Sequence, residues 1–444
     1  MDDQFKPRFM SWGRPGRGDP SKAIPAAIFP NVRGPVLPFG AGRSYGDSCT
    51  LTGGHLIDSR ERALIRQFDP HLGRLVADAG VSIGTILRLI GPRYTLSTIP
   101  GTRHVTLGGA IANDIYGRNH HRRGSFGSGV EAITLRRSDQ PGRLNLRPGD
   151  PLFDATLGGM GMTGLIERVT IKCQRVPSNM ITRSTIPFTS LAEGLALVEE
   201  GAGAHEYVSA WVDGLATGAL LGRGKLVVGD HAVGRAPPPH RRRRPFRVRF
   251  TPPFSVVGPL ALRAFNVFQQ RGLPPGGTTE VLDYENFFFA LDKVGDWNRL
   301  YGPRGLHQHQ SVIPAANALD AMTQMLKATH RRREYSSFAA LGIFGLSRSP
   351  GLIGFSRPGL SLLLDFPDRG RSTLELLKEL DAIALSAGGA VNPYKTRQMG
   401  PEAFDRSMPN WRHVEALRDP LIMSDFWRRN AYGRGGPAAI NRAA

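Results

Sequence analysis

Residues 100–127 read PGTRHVTLGGAIANDIYGRNHHRRGSFG. The stretch opens on a Pro-Gly turn and runs through the small residues GGAIA. It ends in 114–127, which holds two adjacent histidines, three arginines, a tyrosine and three glycines. Alone, that last part suits a metal site, a nucleic-acid contact or the lining of a bound cofactor. Adjacent side chains diverge, and no HExxH, cysteine cluster or carboxylate partner accompanies the histidines, so no metal is expected. The neighbouring loops decide between the other two.

Two more loops repeat the glycine theme. Residues 38–47 read PFGAGRSYGD after a β-like run, and residues 157–164 read LGGMGMTG. Glycines at 40, 42 and 46 are expected to take positive φ and to let backbone approach a ligand closely. Successive N–H groups in such a turn form an anion-binding nest, to which Arg43 and Ser44 add donors. The pattern is neither a βαβ dinucleotide fingerprint, which would open a helix, nor a phosphate loop ending in GK[ST]. Several such loops in one domain point to one large ligand, and a dinucleotide with its pyrophosphate fits.

Composition sets the bounds. The chain has 444 residues, 40% of them hydrophobic and 21% charged, which is globular and long enough for two or three domains. Its formal charge of +20 favours anionic partners: nucleic acid, phosphorylated substrates, an acidic cofactor or an anionic membrane. Cys49 and Cys173 are far apart and offer no disulfide framework, so small buried thiols in a reducing compartment are expected. No run approaches the ~18 apolar residues of a spanning helix, and the N-terminus lacks the apolar core of a signal peptide.

The pattern along the chain predicts an α+β fold. Strand-like runs at 75–81, 130–135 and 165–173 enclose a short amphipathic helix carrying Ile83, Ile86, Leu87 and Ile90. Ser190 and Glu193 form a capping box for the next helix, followed by a strand at 207–213. Residues 234–253, rich in proline and arginine, read as a mobile surface loop. Strands at 307–313, 338–344 and 360–366 then alternate with helices, suggesting an antiparallel sheet. The first of those helices should bury Leu319, Met322 and Leu326 on one face. The second, 373–387, should stop at Gly388-Gly389. On the first strand Gln308 and Gln310 share a face suited to hydroxyl recognition, and His307 and His309 share the other, expected to be partly exposed.

The set GxGRSYGD, PGTRxVTxGGAIAxDxxGxNHHxxGSFG and GGxGxTGxI resembles the PCMH-type FAD-binding domain of vanillyl-alcohol-oxidase-like flavoproteins. More narrowly, it resembles the family of oxidase subunits of decaprenylphosphoryl-β-D-ribose 2'-epimerases. The resemblance continues through Trp12-Gly13-Arg14, Ser209-Ala210-Trp211, 295–302 (GDWNRLYG), Gln308-His309-Gln310, 364–367 (LDFP), Lys395 and Asp419-Pro420. It implies a two-subdomain FAD-binding domain over 1–177 and a substrate domain on an antiparallel sheet over 178–390. A C-terminal segment, 391–444, would return to the FAD domain.

The resemblance also implies roles. Gly40, Gly42, Arg43, Ser44, Tyr45 and Gly46 would wrap the FAD pyrophosphate. Thr102, Gly109 and Asn113 would line the ribityl chain and ring, with Gly164 and Leu165 adding contacts. Lys395 would be a catalytic cation beside ring and substrate, and Tyr116 would face the flavin as a second catalytic position. Gln308, Gln310, Trp211, Arg118 and Ser361 would bind substrate. Many relatives tether flavin through a histidine where this chain has Arg43, so FAD is expected to be non-covalent. The chain departs from the family pattern at Tyr116 (usually His), Arg118 (Lys), Leu363 (Cys), Gly342 (Lys) and Phe288 (Tyr).

The implied reaction oxidises the 2'-hydroxyl of a polyprenyl-phosphate-linked ribose to a ketone. A separate NAD(P)H-dependent short-chain reductase would then complete the arabinose epimer for the cell envelope. The expected location is cytoplasmic and peripheral on the inner membrane, with the basic run 240–249 facing anionic lipid or simply solvated. Two other readings stay open: an oxidase of soluble sugars, alditols or aldonolactones, and a flavoprotein that has lost catalysis. Nucleic-acid binding is not expected, since no zinc-finger, helix-turn-helix or RNP pattern accompanies the charge.

Overall fold

Strand Leu165–Arg175 organises the N-terminal half of the molecule. The computed structural model describes residues 9–14, 23–234, 246–270 and 273–434. Along the strand, buried Val169, Ile171 and Cys173 alternate with exposed Arg168 and Lys172, the period-two pattern of a half-buried strand. It pairs antiparallel with Arg74–Asp78 on one side and Val130–Arg136 on the other. Helix Ile83–Ile90 closes that sheet with the four isoleucine and leucine side chains noted above, all buried. Each contributes roughly 2 kcal/mol of apolar burial. Its entry is fixed by Ser82, whose Oγ accepts from the Thr85 N–H at 3.1 Å.

A second, three-stranded parallel sheet joins Ala23–Pro25, His55–Asp58 and Val36–Phe39, with His55–Asp58 in the middle. The C-terminal region completes its edge. Val36 N–H donates to Leu421 O at 2.8 Å, and Met423 N–H donates to Val36 O at 2.9 Å. Asp419 accepts from Ser138 N–H at 2.7 Å, and Arg429 pairs with Asp47.

The remaining mass is an eight-stranded sheet with antiparallel neighbours, in the order Thr278–Asp283, Met180–Phe188, Gly224–His231, Tyr207–Val212, Phe338–Phe344, Gly359–Pro367, Leu306–Ile313, Ala390–Val391. Together the sheets and helices make the expected α+β fold. One face carries Val208, Ala210, Leu226, Val228, Ala339, Leu341, Leu362 and Leu364, all buried, and helices Leu191–Ala204, Ala315–Arg331 and Arg371–Ser386 cover it. Register sets the opposite face: Trp211, Ala340, Leu363 and Gln310 lie in one cross-strand row, and Phe338, Asp365 and Gln308 in the next but one. That face looks toward the glycine loops.

Three sequence expectations need correction. Leu319 is 46% exposed, because helix Ala315–Arg331 buries the stripe Ala318, Ala321, Met322, Met325 and Leu326, which runs beside it. His307 and His309 are buried rather than partly exposed, since the helices cover their face; His309 Nδ1 lies 3.1 Å from Asp381 Oδ1 and His307 Nε2 3.2 Å from Asp368. Among Gly40, Gly42 and Gly46, only Gly42 has positive φ, at 62°. The other two are glycine because a Cβ would come within 2.4 Å of Thr106 Oγ1 and 2.2 Å of Thr396 O respectively. The capping box at Ser190 is present: its Oγ accepts from Glu193 N–H at 3.3 Å, and the Glu193 carboxylate also accepts from Thr189 N–H at 2.8 Å. Of the proline- and arginine-rich stretch, residues 235–245 lie outside the described residues, and Phe246–Arg247 form a short strand against Val294–Gly295.

Candidate active site

The glycine loops and the polar face of the large sheet enclose a cavity of about 870 Å³. The loops are interlocked before any ligand is considered. Helix Leu107–Ala112 is capped by Thr106, whose Oγ1 accepts from Gly109 N–H at 3.3 Å and presses against Gly40. The stretch that opened the sequence reading is stapled at Asp114, where Oδ1 accepts from Gly127 N–H at 2.7 Å and Oδ2 from Ser349 Oγ. Burial pushes that carboxyl up, and these donors oppose the shift. His120 is fully buried edge-on to Phe344, and burial pushes its imidazole down to about 4, so it is a neutral buttress.

One wall of the cavity is a glycine turn of bare backbone with a single cation, Arg43. Gly40, Gly42, Arg43, Ser44 and Tyr45 line it. Arg43 stacks its guanidinium 4.2 Å from the Trp12 ring. Its Nε and the Ser48 hydroxyl are buried without a hydrogen-bond partner. Thr102 lines the cavity, but its hydroxyl donates to Asp292 Oδ1 at 2.8 Å, so its turn is held by that carboxylate. Asn113 likewise ties back, donating to Gly109 O at 2.9 Å.

Next to that turn the cavity holds a titratable cluster. Lys395 Nζ stands 4.8 Å from the Tyr45 ring centre. Burial pushes its ammonium down to about 8, and the nearby Asp365 carboxylate opposes the shift. Burial raises Asp365 to about 7, against the hydrogen bond from Gln308 Nε2 at 2.5 Å and the charge of Lys395. Beside them, Gln310 Nε2 donates to Tyr116 Oη and lies 3.1 Å from Ser361 Oγ, while Gln310 Oε1 accepts from Asn392 Nδ2 at 2.9 Å. Burial pushes the Tyr116 phenol well up, so it stays protonated.

Another part of the lining is basic and aromatic. Arg118 lies over the Phe287 ring at 5.0 Å and has no carboxylate partner among the described residues. Burial, then the neighbouring Arg183, push it down to about 10, so it remains charged at neutral pH. Lys225 Nζ donates to Gln269 Oε1 at 2.6 Å and sits 5.8 Å from the Trp211 ring.

Of the residues singled out from sequence, Gly164, Gly109, Trp211, Arg118 and Ser361 also line this cavity, with Lys395, Tyr116, Gln308 and Gln310. Gly46 and Leu165 do not: Gly46 is wedged against Thr396, and Leu165 sits in the core. Asp365, Asn392, Ser48, Arg183 and Lys225 line it without having been singled out. Asp365 was within reach, being the acidic member of the quoted LDFP run; Lys225 carried no local signal.

A large polar ligand fits these walls. Gly101 and Gly161 present backbone with nothing within 4 Å of where a Cβ would stand, and the cavity-lining residues Arg43 and Ser48 each carry a buried donor without a partner. A family model described as an FAD binding domain matches residues 28–139. The decaprenylphosphoryl-β-D-ribose oxidase of Mycolicibacterium smegmatis is 30% identical over 461 residues, covering 95% of this chain and 97% of the relative. A Streptomyces coelicolor protein described as an uncharacterised protein in the mprA 5' region is 30% identical over 347 residues, covering 74% of this chain and 94% of its own length. With donors, glycine turns and cation cluster converging on one cavity, and a relative matched nearly end to end, the chain belongs to the decaprenylphosphoryl-β-D-ribose oxidase family and is an FAD-dependent oxidoreductase.

Proposed function

We propose that the enzyme oxidises the 2'-hydroxyl of a polyprenylphosphoryl-β-D-ribose to the ketone, the first half of an epimerisation to arabinose. The observation that carries the substrate class is Arg118: a largely enclosed cation without a carboxylate partner among the described residues, lining the same cavity as Lys395. Such a cation suits an anionic linker, and a phosphodiester supplies one; a neutral free sugar leaves it uncompensated. The name of the Mycolicibacterium relative points to the same substrate class.

In this reading Gly40, Gly42, Arg43, Ser44 and Ser48 hold the cofactor's pyrophosphate end, and Gly109, Asn113, Gly164, Tyr116 and Lys395 surround its ring end, without a covalent tether. Bound FAD supplies the two-electron acceptor for an alcohol carbon. Gln308, Gln310 and Ser361 orient the sugar hydroxyls. Asp365 is the acceptor for the hydroxyl proton, and Lys395 keeps a positive charge beside the reacting oxygen. Tyr116 donates a hydrogen bond and, with its phenol pushed up, is not the base. Trp211 and Phe287 pack against the linker side, where Arg118 and Lys225 face the phosphate. A short-chain NAD(P)H-dependent reductase then consumes the ketone. We place the protein on the cytoplasmic side of the inner membrane, where such a substrate resides.

The test is anaerobic bleaching of flavin absorbance against a panel. Polyprenylphosphoryl ribose is expected to bleach it rapidly, and free ribose, alditols and aldonolactones slowly or not at all. Equal reduction by the soluble sugars would overturn the substrate assignment and favour a soluble-sugar oxidase.

A further inference from the structure

Helix Pro259–Gln270 is turned inside out. At 100° per residue its inward stripe is Leu262, Asn266 and Gln269. Two of those three are polar and carry the attachment: Asn266 donates to Asp213, and Gln269 accepts from Lys225. Apart from Arg263, the outward face is apolar. Leu260 is 80% exposed, Val267 64% and Phe268 73%. A helix of a soluble protein places these faces the other way round.

The segment leading into the helix is also rich in exposed apolar side chains. Phe250 and Phe254 are 71% and 68% exposed, and Phe246 and Val256 are exposed beside them. Arg249 and Arg263 are exposed within the same stretch. So many large exposed apolar side chains within one short stretch of chain mark an interaction site. Its position is informative as well: Phe265, Phe268 and Gln269 are also cavity-lining residues, so the helix forms part of the cavity's rim.

We infer that the outward face of helix Pro259–Gln270, with Phe250 and Phe254, docks on an anionic lipid bilayer and holds the cavity rim against it. The described residues contain no helix long and apolar enough to cross a membrane, so this contact lies in the interface plane. Charge selects the occupant. The chain carries +20, which opposes burying this face against a second copy, whereas anionic headgroups complement its arginines. The polar attachment of the inward stripe leaves the apolar side chains free to enter the acyl boundary while the helix stays anchored to Asp213 and Lys225.

The test uses the full-length, FAD-loaded protein and sedimentation with sucrose-loaded vesicles. One set is phosphatidylcholine alone and the other phosphatidylcholine mixed with phosphatidylglycerol. No substrate is present, so the result does not depend on the assigned sugar. The wild type is expected to sediment with the anionic vesicles and poorly with the neutral ones. The triple variant Phe254→Ser, Leu260→Ser, Val267→Ser alters exposed side chains that do not line the cavity. It is expected to keep its flavin absorbance and melting midpoint and to bind the anionic vesicles on the order of tenfold more weakly, or less. Equal binding by the variant, or no binding by the wild type, would overturn the inference. A concentration-dependent dimer in analytical ultracentrifugation that the variant abolishes would also overturn it, assigning the face to a second copy.

Discussion

At the scale of single residues, the proposed mechanism rests on Lys395 and Asp365, which line one cavity. Lys395→Ala leaves the glycine turns intact, so the purified variant is expected to stay yellow while turnover falls on the order of a hundredfold or more. Near-normal turnover in a steady-state assay would remove Lys395 from the mechanism. The pair also sets a pH dependence. Asp365 is raised, so it becomes a carboxylate only above about 7; Lys395 is lowered, so it keeps its proton only below about 8. A narrow bell in kcat/KM is expected, and its two limbs belong to the coupled pair. In Asp365→Asn the acid limb disappears. The alkaline limb moves to lower pH, because the carboxylate that favours the charged ammonium is gone. An alkaline limb that moved to higher pH would contradict the assignment. Much of this site was legible in the sequence, since Lys395, Gln308, Gln310 and Tyr116 stand within or beside recognisable motifs. Lys225 and Arg183 were not: they reach the cavity by cross-strand register on the eight-stranded sheet, and no local spacing encodes that.

At the scale of elements, the first glycine loop is held by close approach more than by unusual dihedrals. The composition of residues 38–47 announces a turn, but not which glycine needs positive φ and which needs the missing Cβ. That distinction depends on Met10, Thr106 and Thr396, which come from three separate parts of the chain. Gly42 needs both properties: φ is 62°, and a Cβ would sit 2.3 Å from Met10 O. Gly42→Ala is therefore expected to cost about 2–4 kcal/mol, from left-handed backbone strain and overpacking against main chain. It should lower the melting temperature and raise the dissociation constant for FAD. An unchanged melting curve with unchanged FAD affinity would show that the loop yields freely. Strand Leu306–Ile313 teaches the complementary point. Its alternation correctly separated glutamines from histidines, but the environment of the histidine face came from elsewhere in the chain: Asp381 on helix Arg371–Ser386 meets His309, and Asp368 in the turn before that helix meets His307. Leu319 misleads for the same reason, because a helical repeat alone does not say which of two adjacent stripes meets the sheet.

At the scale of the whole molecule, the cavity exists only because distant segments close on one another. The glycine loops form one wall and the eight-stranded sheet the other. The chain after Ala390–Val391 supplies Lys395 before returning to the three-stranded sheet at Leu421 and Met423. A ligand bound across such a seam stabilises the whole fold, so removing FAD is expected to lower the melting temperature, and adding it back to restore it. The attachment of that ligand follows from the nucleophiles within reach. Among the described residues no histidine lines the cavity. Arg43 stands in the first loop, and a guanidinium is no nucleophile at neutral pH. Cys49 does line the cavity, but burial pushes its thiol up to about 12, with Asp47 adding to the shift, so the reactive thiolate is scarce. Acid precipitation should therefore leave the pellet colourless and put all of the FAD in the supernatant. Flavin retained in the pellet would mean that a tether forms despite this chemistry, and a tryptic flavopeptide containing Cys49 would identify it.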